Sequence, residues 1–508
     1  MLNNLILMPW LLAIAAAWLR RRPDWAVGMA GFYCLAAPSL VLPSGRAINP
    51  TYPLTLLLLV LVLLDGEGRG RWRERFSPRA PLGGYVAMMA VVALCYGAGF
   101  AFNGNEGWKA FFSIMVGYAN VWLLLLLLAL LLLRLPAARQ LETMLGLTVA
   151  LVVTGLVFSV LQRGFYQIGW PLTWQLYQTD SHQAPLLAMQ EEGVFSRSFG
   201  PFYSPTIFGT SLLLSIGVLA AIIIRPTVSD PVPVRRQRLL ALPLLGLSIS
   251  LGIFAFAKSV IIGVPFMLLY SLLLLPPLLV LRRRLDGGTG AGKLRLDGDF
   301  RAAWRRSVSE LARPLAVMAV VAFFAYFITW FLIPSWQPGA RAYYYGFLIN
   351  PFGSLETRYG LPTDMINIDR PPRDGGILIS ALLQFFEHPV FGVGPLAVAG
   401  EFLGDSQINK VLHNGGIVAA LAYVVFYARL YWLGLGSKDR VIVILTPLVL
   451  LGCLATPLLD TRQSVPVLAL LLARGVGVWE QGCGGSAAVA GGGGTATGGG
   501  AAETVAED

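Results

Sequence analysis

Apolar residues in this chain do not alternate with polar ones; they run together in blocks. "LTLLLLVLVLL" (residues 54–64) and "VWLLLLLLALLLL" (residues 121–133) set the pattern for most of the length. About 20 consecutive apolar residues span a bilayer as a helix, whereas the strands of a membrane barrel alternate. The pattern therefore predicts an all-α, polytopic transmembrane helical bundle of about 12–13 spans. They are expected at 2–19, 24–43, 51–65, 81–102, 110–134, 140–162, 205–224, 238–257, 259–281, 314–334, 411–433, 441–457 and 463–479. The apolar run 239–281 is too long for one span and must fold back as a hairpin, which puts Lys258, near its middle, at the outer mouth.

Composition agrees with the pattern. The 508 residues are 56% hydrophobic and 13% charged, and a soluble chain carries roughly a quarter charged residues. The net charge of +11 would suggest nucleic acid in a soluble protein. Here the arginines cluster in short connections and read as topology, with no nucleic-acid partner. The basic connections are 20–22, 68–79, 134–139, 225–238, 282–313 and 437–440, every second one. The positive-inside rule then puts the N-terminus outside and the C-terminus inside. The first span has no positive n-region and reads as a retained anchor.

Two long connections remain for the outer side, 163–204 and 335–410. Loops of that length are functional or disordered, and Trp170, Trp174, Phe202, Trp336, Tyr343, Tyr344 and Tyr345 argue against disorder. Within the second, "GGILISALLQFFEHP" (375–389) predicts an amphipathic helix along the membrane surface, stopped by proline. The Gly-rich tail 482–508 cannot bury a core and reads as disordered and cytosolic. The four cysteines show neither metal spacing nor a disulfide framework.

Few residues remain that could carry chemistry. His182 lies in a polar loop and His388 in a turn before Pro389. His413, in "INKVLHNGGIVAALAYVVFY", stands where the second long loop enters a span, either as a capping residue or as a proton acceptor. Lys258 is a snorkelling anchor or part of an electropositive site. Arg197, Arg370 and Arg373 flank the same outer face, and arginine holds phosphate bidentately. Converging cations beside a histidine suggest an anionic ligand at the interface, such as a lipid-linked diphosphate.

Three motifs, in order, resemble the O-antigen ligase and polymerase superfamily over roughly residues 140–435. They are "SRSFGPFYSPTIFG" (196–209), "RDGGILISALLQFFEHPVFGVGP" (373–395) and "HNGGIVAALAYVVFY" (413–427). The chain departs from the family pattern in three places. Thr206 follows Pro205 where Asn is usual, Lys258-Ser259 stands for Ser-Arg, and no acidic residue follows His413-Asn414. The resemblance implies a catalytic region 140–435 between N-terminal helices (1–139) and C-terminal helices (436–481), in the inner membrane of a bacterium with the active site facing the periplasm.

It further implies a metal-independent, inverting glycosyltransferase of the GT-C type that uses no cofactor. The donor would be an undecaprenyl-diphosphate-linked oligosaccharide and the acceptor a glycan hydroxyl. Membrane lipids and a chain-length regulator protein complete the implied partners. His413 would be the general base, Arg197 and Arg373 would stabilise the departing diphosphate, and Lys258, Arg370 and Asn414 would bind substrate. Polymerisation of lipid-linked repeat units is the expected reaction. The alternatives are a ligase acting on lipid A-core and, from another class, a flippase or transporter.

Overall fold

The computed structural model describes residues 2–41, 47–65, 72–103, 107–177, 200–202, 205–224, 233–255, 257–286, 298–336, 385–395, 407–455 and 458–491. Each expected span coincides with helix. In chain order the helices are α1 (Leu2–Leu19), α2 (Pro23–Ala36), α3 (Thr51–Leu64), the short α4 (Trp72–Arg75), α5 (Pro81–Phe102), α6 (Trp108–Leu132), α7 (Ala137–Gly164) and α8 (Tyr166–Tyr177). They continue with α9 (Pro205–Ile224), α10 (Pro233–Phe254), α11 (Lys258–Leu269), α12 (Leu275–Asp286), α13 (Gly298–Trp336), α14 (Gln407–Ser437), α15 (Arg440–Ala455) and α16 (Val465–Gly491). Among the described residues, eight helices are long and apolar enough to cross a membrane, with shorter apolar helices beside them. The chain is an all-α, multi-pass membrane bundle.

Several boundaries differ from expectation for local reasons. α2 stops at Ala36, not near 43, because Ala37 precedes a proline and is extended at φ −61°, ψ 131°. A two-residue antiparallel pairing, Leu40–Val41 with Ala47–Ile48, follows. The first long connection opens as helix α8 folded back on α7. α16 carries on past Gly482 to Gly491, helped by Ala487, Ala488 and Ala490, so the expected disordered tail does not begin at 482; residues 492–508 lie outside the described set.

α9 is the axis of the bundle. Its sequence is apolar on every side, and a helix of that kind belongs in an interior. Every residue from 207 to 224 is buried, and α7, α10, α11 and α15 pack around it. Two glycines allow the approach: a Cβ on Gly209 would strike the Ala257 side chain, and one on Gly217 would come within 2.7 Å of Leu445 and Leu448.

Proline lies inside three of the surrounding helices, at Pro243 of α10, Pro265 of α11 and Pro447 of α15, and at the last two a tyrosine from a neighbour repairs the loss. Pro265 in α11 has no N–H to offer the carbonyl of Ile261. The Tyr326 hydroxyl of α13 reaches that carbonyl at 3.1 Å and that of Val260 at 3.2 Å. Pro447 in α15 likewise orphans Val443, whose carbonyl accepts from the Tyr270 hydroxyl at 3.0 Å. Tyr431 of α14 completes that pair, 2.6 Å away. Pro276 and Pro277 remove two further donors, just after a π turn at Tyr270–Leu274.

The two ends of the bundle are built differently. The basic connections gather at one end, in ion pairs between distant segments: Arg75 with Glu480 at 2.6 Å, Arg134 with Asp65, and Arg474 with Asp439. Asp439 also accepts from the Val441 and Ile442 amides at 3.0 and 3.2 Å, capping α15. At the opposite end Asn3 donates to the Ser39 carbonyl at 2.9 Å and to that of Gln175 at 3.2 Å, tying α1, the end of α2 and α8 together. α5 and α10 run towards this second end, and α9, α11 and α14 begin there.

Candidate functional site

His413 and Asn414 lie on α14, a helix that breaks immediately after them. Gly416 takes φ 64°, ψ −164°, a conformation open in practice only to glycine. In an unbroken helix the amides of Ile417 and Val418 would donate to the carbonyls of His413 and Asn414. Here all four groups bond to one remote turn. His413 O accepts from Val393 N at 2.8 Å and Asn414 O from Gly394 N at 3.1 Å. Ile417 N donates to Pro389 O at 2.8 Å and Val418 N to Val390 O at 3.4 Å. Two ladder bonds are opened and four bonds to the 388–394 turn replace them, so none of these four groups goes unsatisfied.

Glycine makes this splint sterically feasible. A Cβ on Gly392 (φ 65°) would strike His413 O, and one on Gly416 would strike Val390 O. Gly394 (φ 86°) sits against the Phe100 backbone of α5, where a Cβ would find N at 2.7 Å. From the other side, a Cβ on Gly99 of α5 would meet Phe391 O at 2.5 Å and Gly392 O at 2.9 Å. The Asn103 amide, at the end of α5, donates to Gly99 O at 2.6 Å and to Gly392 O at 3.1 Å. Phe102 and Phe391 lie 5.9 Å apart at the rim, and Phe100, Trp108, Phe111 and Phe112 continue the aromatic cluster. Such rings suit a membrane–water boundary.

The imidazole itself is buried, 3% exposed. Its Nδ1 lies 3.0 Å from Asn414 Oδ1. An amide oxygen can only accept, so this contact favours a hydrogen on Nδ1, and in the neutral ring of that tautomer the lone pair is on Nε2. In that tautomer the ring is a proton acceptor at Nε2, oriented by the residue beside it.

A second constellation surrounds Lys258. The long apolar run does fold back as expected: α10 ends at Phe254, Ala257 is extended, and Lys258 opens α11. The side chain is half-buried at a helix N-terminus, where the peptide dipoles favour an anion. Gly209 of α9 packs against Ala257, and a Cβ there would lie 3.5 Å from Ser259 Oγ. Gly200 takes the left-handed turn at φ 55°, and its carbonyl accepts from Gln162 Nε2 at 3.1 Å. Phe202 packs on Phe208, with ring centroids 5.4 Å apart. Residues 200–202 and 205–209 of the first motif thus have defined backbones, and Pro205 opens α9 as its place in the sequence predicts.

Arg197, Arg370 and Arg373 lie outside the described residues, as do His182 and most of the expected surface helix 375–389. Phe385 to Glu387 are helical, and the exposed His388 begins the splint, as a turn residue should. The structure therefore joins His413, Asn414 and the second motif, and places the Lys258 hinge at the same end of the bundle. Among the described residues no group of three or more His, Cys, Asp or Glu could hold a metal ion.

Two residues escaped the sequence reading. Asn103 looks like an ordinary end to a span, and only the packed turn reveals its second bond. Arg462 follows α15 in a connection that dips into the bundle; it is 8% exposed and donates to Ala37 O at 2.6 Å. A lone arginine between two apolar segments could have flagged it. Comparison with protein-family models, curated proteins and solved structures gives no match for this chain.

Proposed function

We propose that this protein is a membrane glycosyltransferase that polymerises lipid-linked saccharide repeat units. The donor is a glycan on undecaprenyl diphosphate, used at the periplasmic face of the inner membrane. The observation that carries the reading is the junction at Gly416. The His-Pro-x-x-Gly-x-Gly turn and the His-Asn helix, two of the motifs behind the family resemblance, meet through four backbone hydrogen bonds around one buried imidazole.

In the reaction an acceptor hydroxyl attacks the anomeric carbon from the face opposite the diphosphate, with inversion. His413 Nε2 takes the hydroxyl proton as the new C–O bond forms, while Asn414 holds Nδ1. General-base catalysis of this kind contributes about 10²–10⁴ in rate. The old C–O bond breaks towards the diphosphate, whose growing charge Arg197 and Arg373 stabilise. Lys258, Arg370 and Asn414 assist in holding substrate. No nucleotide is needed, because the diphosphate ester brought by the lipid supplies the driving force.

One observation favours a second reading. A broken α14 and the buried Arg462 in an irregular connection between α15 and α16 are features of transporters, whose sites lie at discontinuous helices. Purified protein in vesicles, given lipid-linked repeat units, separates the alternatives. A ladder of lengthened lipid-linked products, lost in His413→Ala, supports the polymerase. Transfer to lipid A-core alone identifies a ligase, and flux across the bilayer without bond formation identifies a transporter.

A further inference from the structure

We propose that Asn103 is a positioning residue for His413. This assignment rests on the reading of His413 as the base and extends its machinery to α5, outside the region of family resemblance.

A single peptide group links Asn103 to His413. The Gly392 carbonyl and the Val393 amide belong to the same planar unit. Its oxygen accepts from Asn103 Nδ2 at 3.1 Å, and its N–H donates to His413 O at 2.8 Å. Asn103 therefore grips one end of a rigid plane whose other end sets the backbone of the histidine. Hydrogen bonds in series polarise one another, so the first strengthens the second. The bland role for Asn103 is to cap its own helix through Gly99 O, at 2.6 Å. A primary amide has two N–H donors, and the second goes to the remote carbonyl, which a cap does not require. Gly99 presses the same face of α5 against Phe391 O and Gly392 O. α5 thus holds the turn by shape, and Asn103 holds it by a directed bond.

The consequence is specific. Losing the donor leaves substrate sites intact but lets the Gly392–Val393 plane rotate, and His413 with it. Displacements of an ångström at a reacting group cost up to about 100-fold in rate. The test compares Asn103→Leu, Asn103→Asp and Asn103→Gln with wild type and His413→Ala in the lengthening assay, with amide exchange at Val393 followed in the same proteins. Asn103→Asp keeps the shape and lacks the donors, and serves if Asn103→Leu fails to fold. We expect kcat to fall about 10- to 100-fold in the donor-less variants, with KM for the lipid-linked donor within about twofold. Exchange at Val393 quickens in step, and Asn103→Gln, which retains the donor, recovers most of kcat. Unchanged kcat in the donor-less variants, an equal loss in Asn103→Gln, or a rise in KM alone overturns the assignment while His413 stays essential. Wild-type lengthening by His413→Ala would instead overturn the polymerase mechanism itself, and the role of Asn103 with it.

Discussion

Helices in this bundle are interrupted in two ways, and the two kinds of break have different owners. At Pro265 and Pro447 the ladder lacks one donor, and a tyrosine hydroxyl from the next helix satisfies the orphaned carbonyl. At Gly416 two ladder bonds open together, and the backbone of a distant turn takes over all four groups. The proline breaks are local and are mended by a side chain. The glycine break is an insertion site for another segment, and the only buried histidine among the described residues stands on its lip. A helix opened by proline is bent; a helix opened by glycine and filled with backbone becomes a socket.

Replacing Gly416 with valine should cause the largest loss. It forbids the conformation at φ 64° and drives a side chain into Val390 O. We expect a cost of about 3 kcal/mol or more, read as unfolding in bicelles, together with loss of product lengthening. Gly392→Ala follows, at about 2 kcal/mol, because its Cβ meets the His413 carbonyl. If either variant matched wild type in stability, the socket would be wrongly drawn.

At the proline breaks the effects are smaller. Tyr270→Phe strands the Val443 carbonyl and breaks the contact with Tyr431, for about 1–3 kcal/mol. Tyr326→Phe should cost about 1 kcal/mol, since its hydroxyl is shared between two carbonyls. Pro265→Ala gives Ile261 back a helical donor, so the Tyr326→Phe penalty should shrink by at least about half in that background. Full additivity in this double-mutant cycle would mean that Tyr326 does not serve the carbonyl that proline orphans.

Much of the scaffold can be read from the chain, because lipid demands continuous apolar runs and charge sorts to one end. The hairpin at Lys258 is legible for the same reason: its apolar run exceeds a single span. α2 ends early for a reason present in the sequence, Pro38, which the apolar count overlooks. The break inside α14 is different. "HNGG" is in plain view, yet adjacent glycines are tolerated in helices, and only the docked turn decides that the ladder opens. The tyrosine repairs and the second bond of Asn103 are tertiary pairings, set by which helices face each other, and no local spacing encodes them. His413 and Asn414 were legible as candidates through their motif, but their burial and their contact with each other were not.

The 388–394 turn is hydrogen-bonded into the opened helix and thereby fixes the His413 backbone. Residue-resolved amide exchange at Val393 and Gly394 in the wild-type protein tests it most directly, since these two amides lie outside any helix. Both should exchange slowly, at rates comparable to the flanking helical amides of α14. Exchange at the rate of an open loop, with the α14 amides still protected, would mean that the helix closes on itself and the turn is not its partner.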